Sequence, residues 1–349
     1  ENGEWTAIWT NLPEVMPGSD VSGGGVTQYR VVEANTPGGY QQEESSGTGT
    51  SEDPYVIANR RVISYTVEKI WKLDKGDNLN GAEVTVGLWR QAGENGTPER
   101  VAKNRTDSCS ALNDQYALVL TDENLTGTFT DLPKYDGTGE NAEEYIYFAR
   151  EEKIGANGIG NLSASRDQAP MDLKIDGSTY KVVHKDTVAV GNTPAKTTIY
   201  NIGQTELEVT KNWIDDGDAK GLRPDDIELI LIRQLTGGTS EELEENELEG
   251  EGITLSAPAI NGNQWAYTYS GLWVADESGT LYTYSVKEGT SGLTLTGGDQ
   301  YVPSYNGSTI TNTLTGKTEV TVTKTWADGG DADGFRGEIT LELRADNVP

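Results

Sequence analysis

Lys, Glu and Asn recur along this chain in a fixed order, each near the end of a strand-like segment. The lysines sit in YTVEKIW (65–71), LEVTKNW (207–213) and VTVTKTW (320–326). The acids close YRVVE (29–33), YFARE (147–151) and YSVKE (284–288), and the asparagines close VIAN (56–59), TIYN (198–201) and TITN (309–312). In a strand, residues i and i+2 share a face. Tyr65, Val67, Lys69 and Trp71 therefore point one way, as do Leu207, Val209, Lys211 and Trp213, and Val320, Val322, Lys324 and Trp326. Each lysine falls on the face expected to be core. Glu33, Glu151 and Glu288 follow the same parity behind Val31, Ala149 and Val286, and Asn59, Asn201 and Asn312 follow Ile57, Ile199 and Ile310.

Burying an unpaired charge is costly or drives the group neutral, so these side chains need one another. Two chemistries satisfy them. One is a buried Lys–Glu salt bridge hydrogen-bonded to Asn. The other is an intramolecular amide. Burial lowers the lysine pKa, giving a neutral nucleophilic amine, and raises that of the glutamate, giving a carboxylic acid that can donate to the Asn carbonyl and shuttle protons. A fold that presses amine against carboxamide can remove about 7–11 kcal/mol of the barrier. Attack at the side-chain carbonyl expels ammonia and leaves a Lys–Asn isopeptide bond, a single-turnover reaction.

The elements that must position these groups form a repeat. A fourth segment, an aromatic strand running into a turn, reads WTAIWTNL (5–12), LTGTFTDL (125–132) and WAYTYSGL (265–272). The order in a complete unit is lysine strand, aromatic strand, acid strand, asparagine strand. Residues 61–203 make one unit and 204–315 another. Residues 1–60 read as the back of a unit and 316–349 as the complementary front. The expectation is an array or filament in which 316–349 of one block completes 1–60 of the next, with closure of the two ends within one chain as the alternative. No signal peptide or sorting tail is visible, so the segment reads as a mature or excised region.

Composition removes most other functions. The 349 residues carry a net charge of −29, which repels nucleic acid and anionic membrane. Hydrophobic residues are 34%, and no run approaches the ~20 that a membrane helix needs. One Cys and one His preclude an internal disulfide and a His/Cys zinc site, so neither metal nor cofactor is expected. Alternating segments between Gly, Asp and Asn turns read as all-β, with no convincing amphipathic helix. The Glu-rich segment 241–251 reads as a solvated loop, 215–218 and 328–333 as solvated turns rather than calcium loops, and His184 as a surface histidine on a strand. Cys109 reads as a lone thiol. LPKYD (132–136) loosely resembles a pilin linkage motif, but Lys134 is not assigned as a polymerisation site. Asn95, Asn124 and Asn306 head glycosylation sequons in turn-like sequence.

Residues 209–234 and 320–346, with YSVKE and ITNT (310–313), resemble the collagen-adhesin B-type (Cna-B) domains of Gram-positive surface proteins and pilins. The likeness is strong in 204–315, good in the joined end fragments and looser in 61–203, which carries a long segment between Glu151 and Asn201 and lacks the Arg223–Pro224 element. The resemblance implies tandem Greek-key β-sandwiches of transthyretin-like or immunoglobulin-like kind. It implies cross-links Lys69–Asn201, Lys211–Asn312 and Lys324–Asn59, the last between copies or between chain ends, with Glu151, Glu288 and Glu33 as catalytic acids. The expected role is a cross-linked stalk or filament component at a cell surface, with copies of itself or neighbouring repeats as partners. The alternative is an adhesin module for host matrix or glycan, for which residues 152–196 or Trp273 are the candidate surface. A turnover enzyme is not expected.

Overall fold

The computed structural model describes residues 5–13, 29–74, 81–108, 114–137, 139–158, 166, 168–175, 177–189, 194–289, 295, 299–316 and 320–344. Cys109 lies outside them. The architecture is two β-sandwiches in tandem, each with its own core, joined by one long strand.

The lysine strand of the first sandwich, Asn59–Lys72, alternates strictly along its second half: Tyr65, Val67, Lys69 and Trp71 are buried, and the residues between them are half-buried. It pairs antiparallel with the aromatic strand Thr126–Pro133 and parallel with the strand Lys196–Ile214. The latter continues antiparallel to Ser178–Thr187, which pairs in turn with Met171–Ile175. Facing this sheet is a second one, in which Val84–Ala92 pairs with Glu99–Arg100, Ala117–Leu120 and the acid strand Tyr145–Ile154. Val67, Val86, Leu88, Phe129, Leu132 and Ile199 fill the space between, each fully buried. Each such aliphatic or Phe side chain contributes about 1.5–3 kcal/mol.

The second sandwich repeats this plan. The strand Lys196–Ile214, hereafter the shared strand, supplies Asn201 to the first sandwich and Lys211 to the second. Its second half pairs antiparallel with the aromatic strand Gln264–Trp273 and parallel with the asparagine strand Thr309–Thr315, beside which runs Gln300–Asn306. The opposite sheet sets Leu229–Leu235 between Ser240–Glu242 and the acid strand Tyr282–Glu288. Val183, Ile202, Trp273 and Ala275 form a small apolar cluster where the two sandwiches meet, so Trp273 is buried by packing rather than an exposed aromatic available as a binding surface.

Several sequence expectations change. The segments TFTDL and YTYSGL do not run into turns; each carries a β-bulge inside its strand, where the pairing slips between Ile63 and Tyr65 and between Thr205 and Leu207. The extra residue takes a positive φ, 55° at Asp131 and 85° at Gly271, and Asn11 holds 58° at the matching position of the N-terminal segment. Asp, Gly and Asn are the residue types that tolerate this conformation, which explains why the three copies vary among only these. The Glu-rich run is not simply a loop: Glu245–Glu251 is a short helix. The Glu244 N–H donates to Glu247 Oε2 at 2.8 Å, Gly252 ends the helix at φ 72°, and Glu251 grips Arg233 at 2.7 and 2.8 Å. Asp215 is not solvated: it is buried, paired with the Arg223 guanidinium, and accepts from Tyr301 Oη at 3.0 Å. The same clamp recurs in the C-terminal segment, where Arg336 Nε donates to Asp328 at 2.9 Å.

Residues 320–344 carry no strand pairing, and no hydrogen bond among the described residues joins them to residues 5–60. Val320, Val322, Trp326, Leu341 and Leu343 are exposed there, as are Trp5, Ile8 and Trp9 near the other end.

Candidate functional site

In the parallel pair formed by the lysine strand and the shared strand, Lys69 stands opposite Ile199 and Trp71 opposite Asn201. Paired residues share a face, so Lys69 and Asn201 project diagonally into the same core. The acid strand of the facing sheet brings Glu151 against both. Lys69, Glu151 and Asn201 are all buried. Lys69 Nζ lies 3.5 Å from Glu151 Oε2, and Asn201 Nδ2 donates to Glu151 Oε1 at 2.8 Å. Trp71, two residues beyond the lysine, puts its ring 3.9 Å from Nζ.

The second sandwich builds the same cluster in the same register. Lys211 stands opposite Ile310 and Trp213 opposite Asn312. Lys211 Nζ is 3.2 Å from Glu288 Oε2, Asn312 Nδ2 donates to Glu288 Oε1 at 3.0 Å, and the Trp213 ring lies 4.3 Å from Nζ.

Burial dominates the electrostatics. It pulls Lys69 and Lys211 down to about 8, against opposition from the neighbouring carboxylates. It pushes Glu151 up, opposed by Lys69 and the Asn201 hydrogen bond. An amine and an acid moved towards each other in this way share one proton readily.

Each asparagine keeps one unsatisfied atom, its carboxamide oxygen. Asn201 Oδ1 and Asn312 Oδ1 are buried without a hydrogen-bond partner, and so is Asn59 Oδ1. An orphaned buried acceptor costs about 1–3 kcal/mol. A salt bridge alone does not relieve it.

The third set is divided. Asn59 Nδ2 donates to Glu33 Oε1 at 2.8 Å, and both residues are half-buried. Lys324 is exposed; its Nζ donates to the carbonyl of Thr325 at 2.7 Å and lies 3.9 Å from the Trp326 ring. The structure thus brings Glu33 to Asn59 but not Lys324 to either.

Two residues at these clusters carried no sequence signal. His184 is on a strand as expected, but it is half-buried rather than a surface residue, and its Nε2 accepts the Glu151 backbone N–H at 3.0 Å. Tyr305 Oη accepts the Glu288 N–H at 3.3 Å. The loops between these residues and their partners differ in length, so spacing could not reveal the equivalence. Lys134, in the pilin-like motif, lies 3.5 Å from Glu144. No cluster of three or more His, Cys, Asp or Glu able to hold a metal occurs among the described residues. No helix there is long and apolar enough to cross a membrane.

The family model of the Cna protein B-type domain matches residues 65–158 and 207–313. A collagen adhesin of Staphylococcus aureus is 26% identical over 358 positions, which take in 99% of this chain and 23% of that protein. The chain therefore spans about a quarter of that relative. Among solved structures, a single B repeat unit of the S. aureus collagen-binding surface protein is 21% identical over 73% of this chain and 98% of that one, with a TM-score of 0.19. A minor pilin of Streptococcus agalactiae is 16% identical over 74% and 99%, with a TM-score of 0.21. The shaft pilin of Lactobacillus rhamnosus GG is 12% identical over 74% and 100%, with a TM-score of 0.19.

Proposed function

Because this chain belongs to the Cna protein B-type domain family, we propose that it is a load-bearing repeat of an extracellular stalk or filament, stiffened by self-made isopeptide bonds. The similarity to a collagen adhesin over 99% of this chain fits a surface role of this kind. The observation that carries the reading is the recurrent buried Lys–Glu–Asn cluster in which the asparagine carboxamide oxygen lacks a hydrogen-bond partner.

The proposed step balances as follows. The ion pair first becomes a neutral amine and a carboxylic acid. Lys69 Nζ attacks Asn201 Cγ while the Glu151 carboxyl hydrogen-bonds the oxygen. Glu151 then relays a proton from the lysine nitrogen to the amide nitrogen. The Cγ–Nδ2 bond breaks, ammonia leaves, and a secondary amide joins the side chains. Lys211, Glu288 and Asn312 act alike. Each bond ties the first strand of a sandwich to its last, so tension passes along the shared strand and around the core rather than through it.

Under this reading Lys324 bonds Asn59 of a neighbouring repeat or second copy, with Glu33 as its acid. The exposed apolar alternation around Lys324 and the lysine-free Glu33–Asn59 pair support it. A ladder of covalent multimers on a denaturing gel is the expected result with assembled chains; monomer alone counts against it.

Single-molecule stretching tests the load-bearing role. A cross-linked first sandwich withholds about 130 residues of extension, roughly 450 Å at 3.3–3.6 Å per residue. Full extension of that segment would refute it. The collagen adhesin relative favours one second reading, a matrix-binding module; retention of the chain on immobilised collagen would support that instead.

A further inference from the structure

We infer that His184 and Tyr305 are equivalent positioning residues for amide formation, each fixing the backbone of the catalytic glutamate; this rests on the cross-linking reading above.

The acid strand of the first sandwich pairs with Val84–Ala92 along one edge. That pairing slips between Thr85 and Val86, so Glu151 sits at an irregularity, where a strand is prone to shift. On the free edge, its N–H and that of Ala149 point across to the other sheet. Thr197 Oγ1 accepts the Ala149 N–H at 2.9 Å, and His184 Nε2 accepts the Glu151 N–H at 3.0 Å. Two side chains from one sheet thus hold the backbone that carries the acid in the other.

The second sandwich solves the same problem with a different residue. Glu288 ends its acid strand, and its N–H donates to Tyr305 Oη at 3.3 Å. The register makes the equivalence exact in position: His184 pairs with Ile199, which stands opposite Lys69, while Tyr305 pairs with Ile310, which stands opposite Lys211. In both sandwiches the strand beside the asparagine strand sends one polar ring to the same amide. An imidazole and a phenol share little but an acceptor at the end of a flat ring, so that acceptor is the common requirement.

His184 accepts through Nε2, which leaves the proton on Nδ1. Burial, with Arg150 and Lys69 nearby, holds the ring well below the ordinary histidine range and so in this neutral form. A protonated ring would present a donor to a donor and release the Glu151 backbone. The carboxyl must lie between amine and carboxamide, and a small displacement of its Cα carries it out of reach.

The test follows amide formation in the full chain, refolded from denaturant in its unreacted state. Denaturing mass spectrometry counts ammonia lost, and peptide mapping assigns each bond to its sandwich. His184→Phe keeps a flat ring and removes the acceptor; His184→Tyr transplants the solution used by the second sandwich. H184F should slow Lys69–Asn201 formation by about five- to tenfold, the worth of one hydrogen bond, and leave Lys211–Asn312 at its normal rate. H184Y should recover most of the loss. Tyr305→Phe, which deletes a single oxygen and keeps the fold, should slow only Lys211–Asn312, and by less, because Tyr305 is 48% exposed. Equal rates for H184F, Y305F and wild type would overturn the inference, as would H184Y no faster than H184F. A wild-type chain that loses no ammonia refutes the cross-link itself, and this inference with it.

Discussion

Replacing Glu288 with Gln separates the chemistry from the shape of the second cluster. Gln preserves the volume and can still hydrogen-bond Asn312, but it cannot give or take the proton that the amine and the leaving nitrogen exchange. The variant should fold and stay unbonded between Lys211 and Asn312. Two effects set its stability. The bond closes a loop of about 100 residues, whose closure is worth roughly 5 kcal/mol on chain-entropy grounds. The unreacted lysine adds to the deficit. Its pKa falls from 10.5 to about 8 even with Glu288 beside it. Below that value folded and unfolded states are both protonated, so the native state bears a penalty of about 3 kcal/mol in full. The penalty fades only as the pH climbs from 8 towards 10.5, and without Glu288 it is larger. A deficit of about 5 kcal/mol already lowers the midpoint of a sandwich this size by about 20 °C. Calorimetry should show the second sandwich melting at least that much earlier, with the first unchanged in its own bond. Denaturing mass spectrometry should find one ammonia more than in the parent. A variant that loses the same ammonia would refute the role of Glu288. One that lacks the bond yet melts within a few degrees of the parent would refute the loop-closure argument.

Further perturbations test other parts of the account. The reactive pair, neutral amine and protonated acid, holds the same single proton as the ion pair, so the Lys69–Asn201 rate should be level from about pH 8 down to the raised titration of Glu151, fall about tenfold per unit above pH 8, and fall again on the acid side once the pair takes a second proton; a rate that keeps rising above pH 8, followed by pH-jump and mass spectrometry, would show that only the free amine matters. Gly271→Ala places a Cβ 2.8 Å from the Gly252 carbonyl oxygen at φ 85° and should cost about 1–3 kcal/mol by denaturant titration, whereas Asp131→Gly at the matching bulge should be close to neutral. The Arg223 hydrogen bond, with those from Tyr301 and the Asp218 backbone, holds the Asp215 carboxyl below the usual range, so its contribution is complete above the ordinary Asp pKa and lost as pH falls through the folded value. Asp215→Asn should therefore lower stability at pH 7 by about 1.5–3 kcal/mol and flatten the acid limb of the stability curve, read by urea titration across pH.

The β architecture was legible because alternation and turn residues are local properties. The inward parity of Lys69 and Lys211 was readable for the same reason: the lysine shares its face with Val67 and Trp71, or with Val209 and Trp213, whatever the rest of the chain does. Lys324 has the same alternation yet lies exposed, because a face is buried only when other strands pack on it. Pairing information is what local patterns lack. The bulges at Asp131 and Gly271 look like turns until the partner strand is seen to slip. Asp215 looks like a solvated turn residue until Arg223 and Tyr301 close on it. His184 reads as a surface residue because its acceptor, a strand N–H of the facing sheet, is visible only in the register. The continuity of Asn201 and Lys211 on one strand was equally hidden, since the repeat divides the chain between them. The helix at Glu245–Glu251 is short, with Leu248 its one side chain against the core, too little for a periodic stripe.

The most direct measurement is the mass of the intact wild-type chain under fully denaturing conditions. The account predicts a mass below that of the sequence by two molecules of ammonia for a single chain, one for Lys69–Asn201 and one for Lys211–Asn312. A mass equal to that of the unmodified sequence, from chains that had folded, would contradict it and leave three buried side chains in each sandwich bound by charge and hydrogen bonds alone.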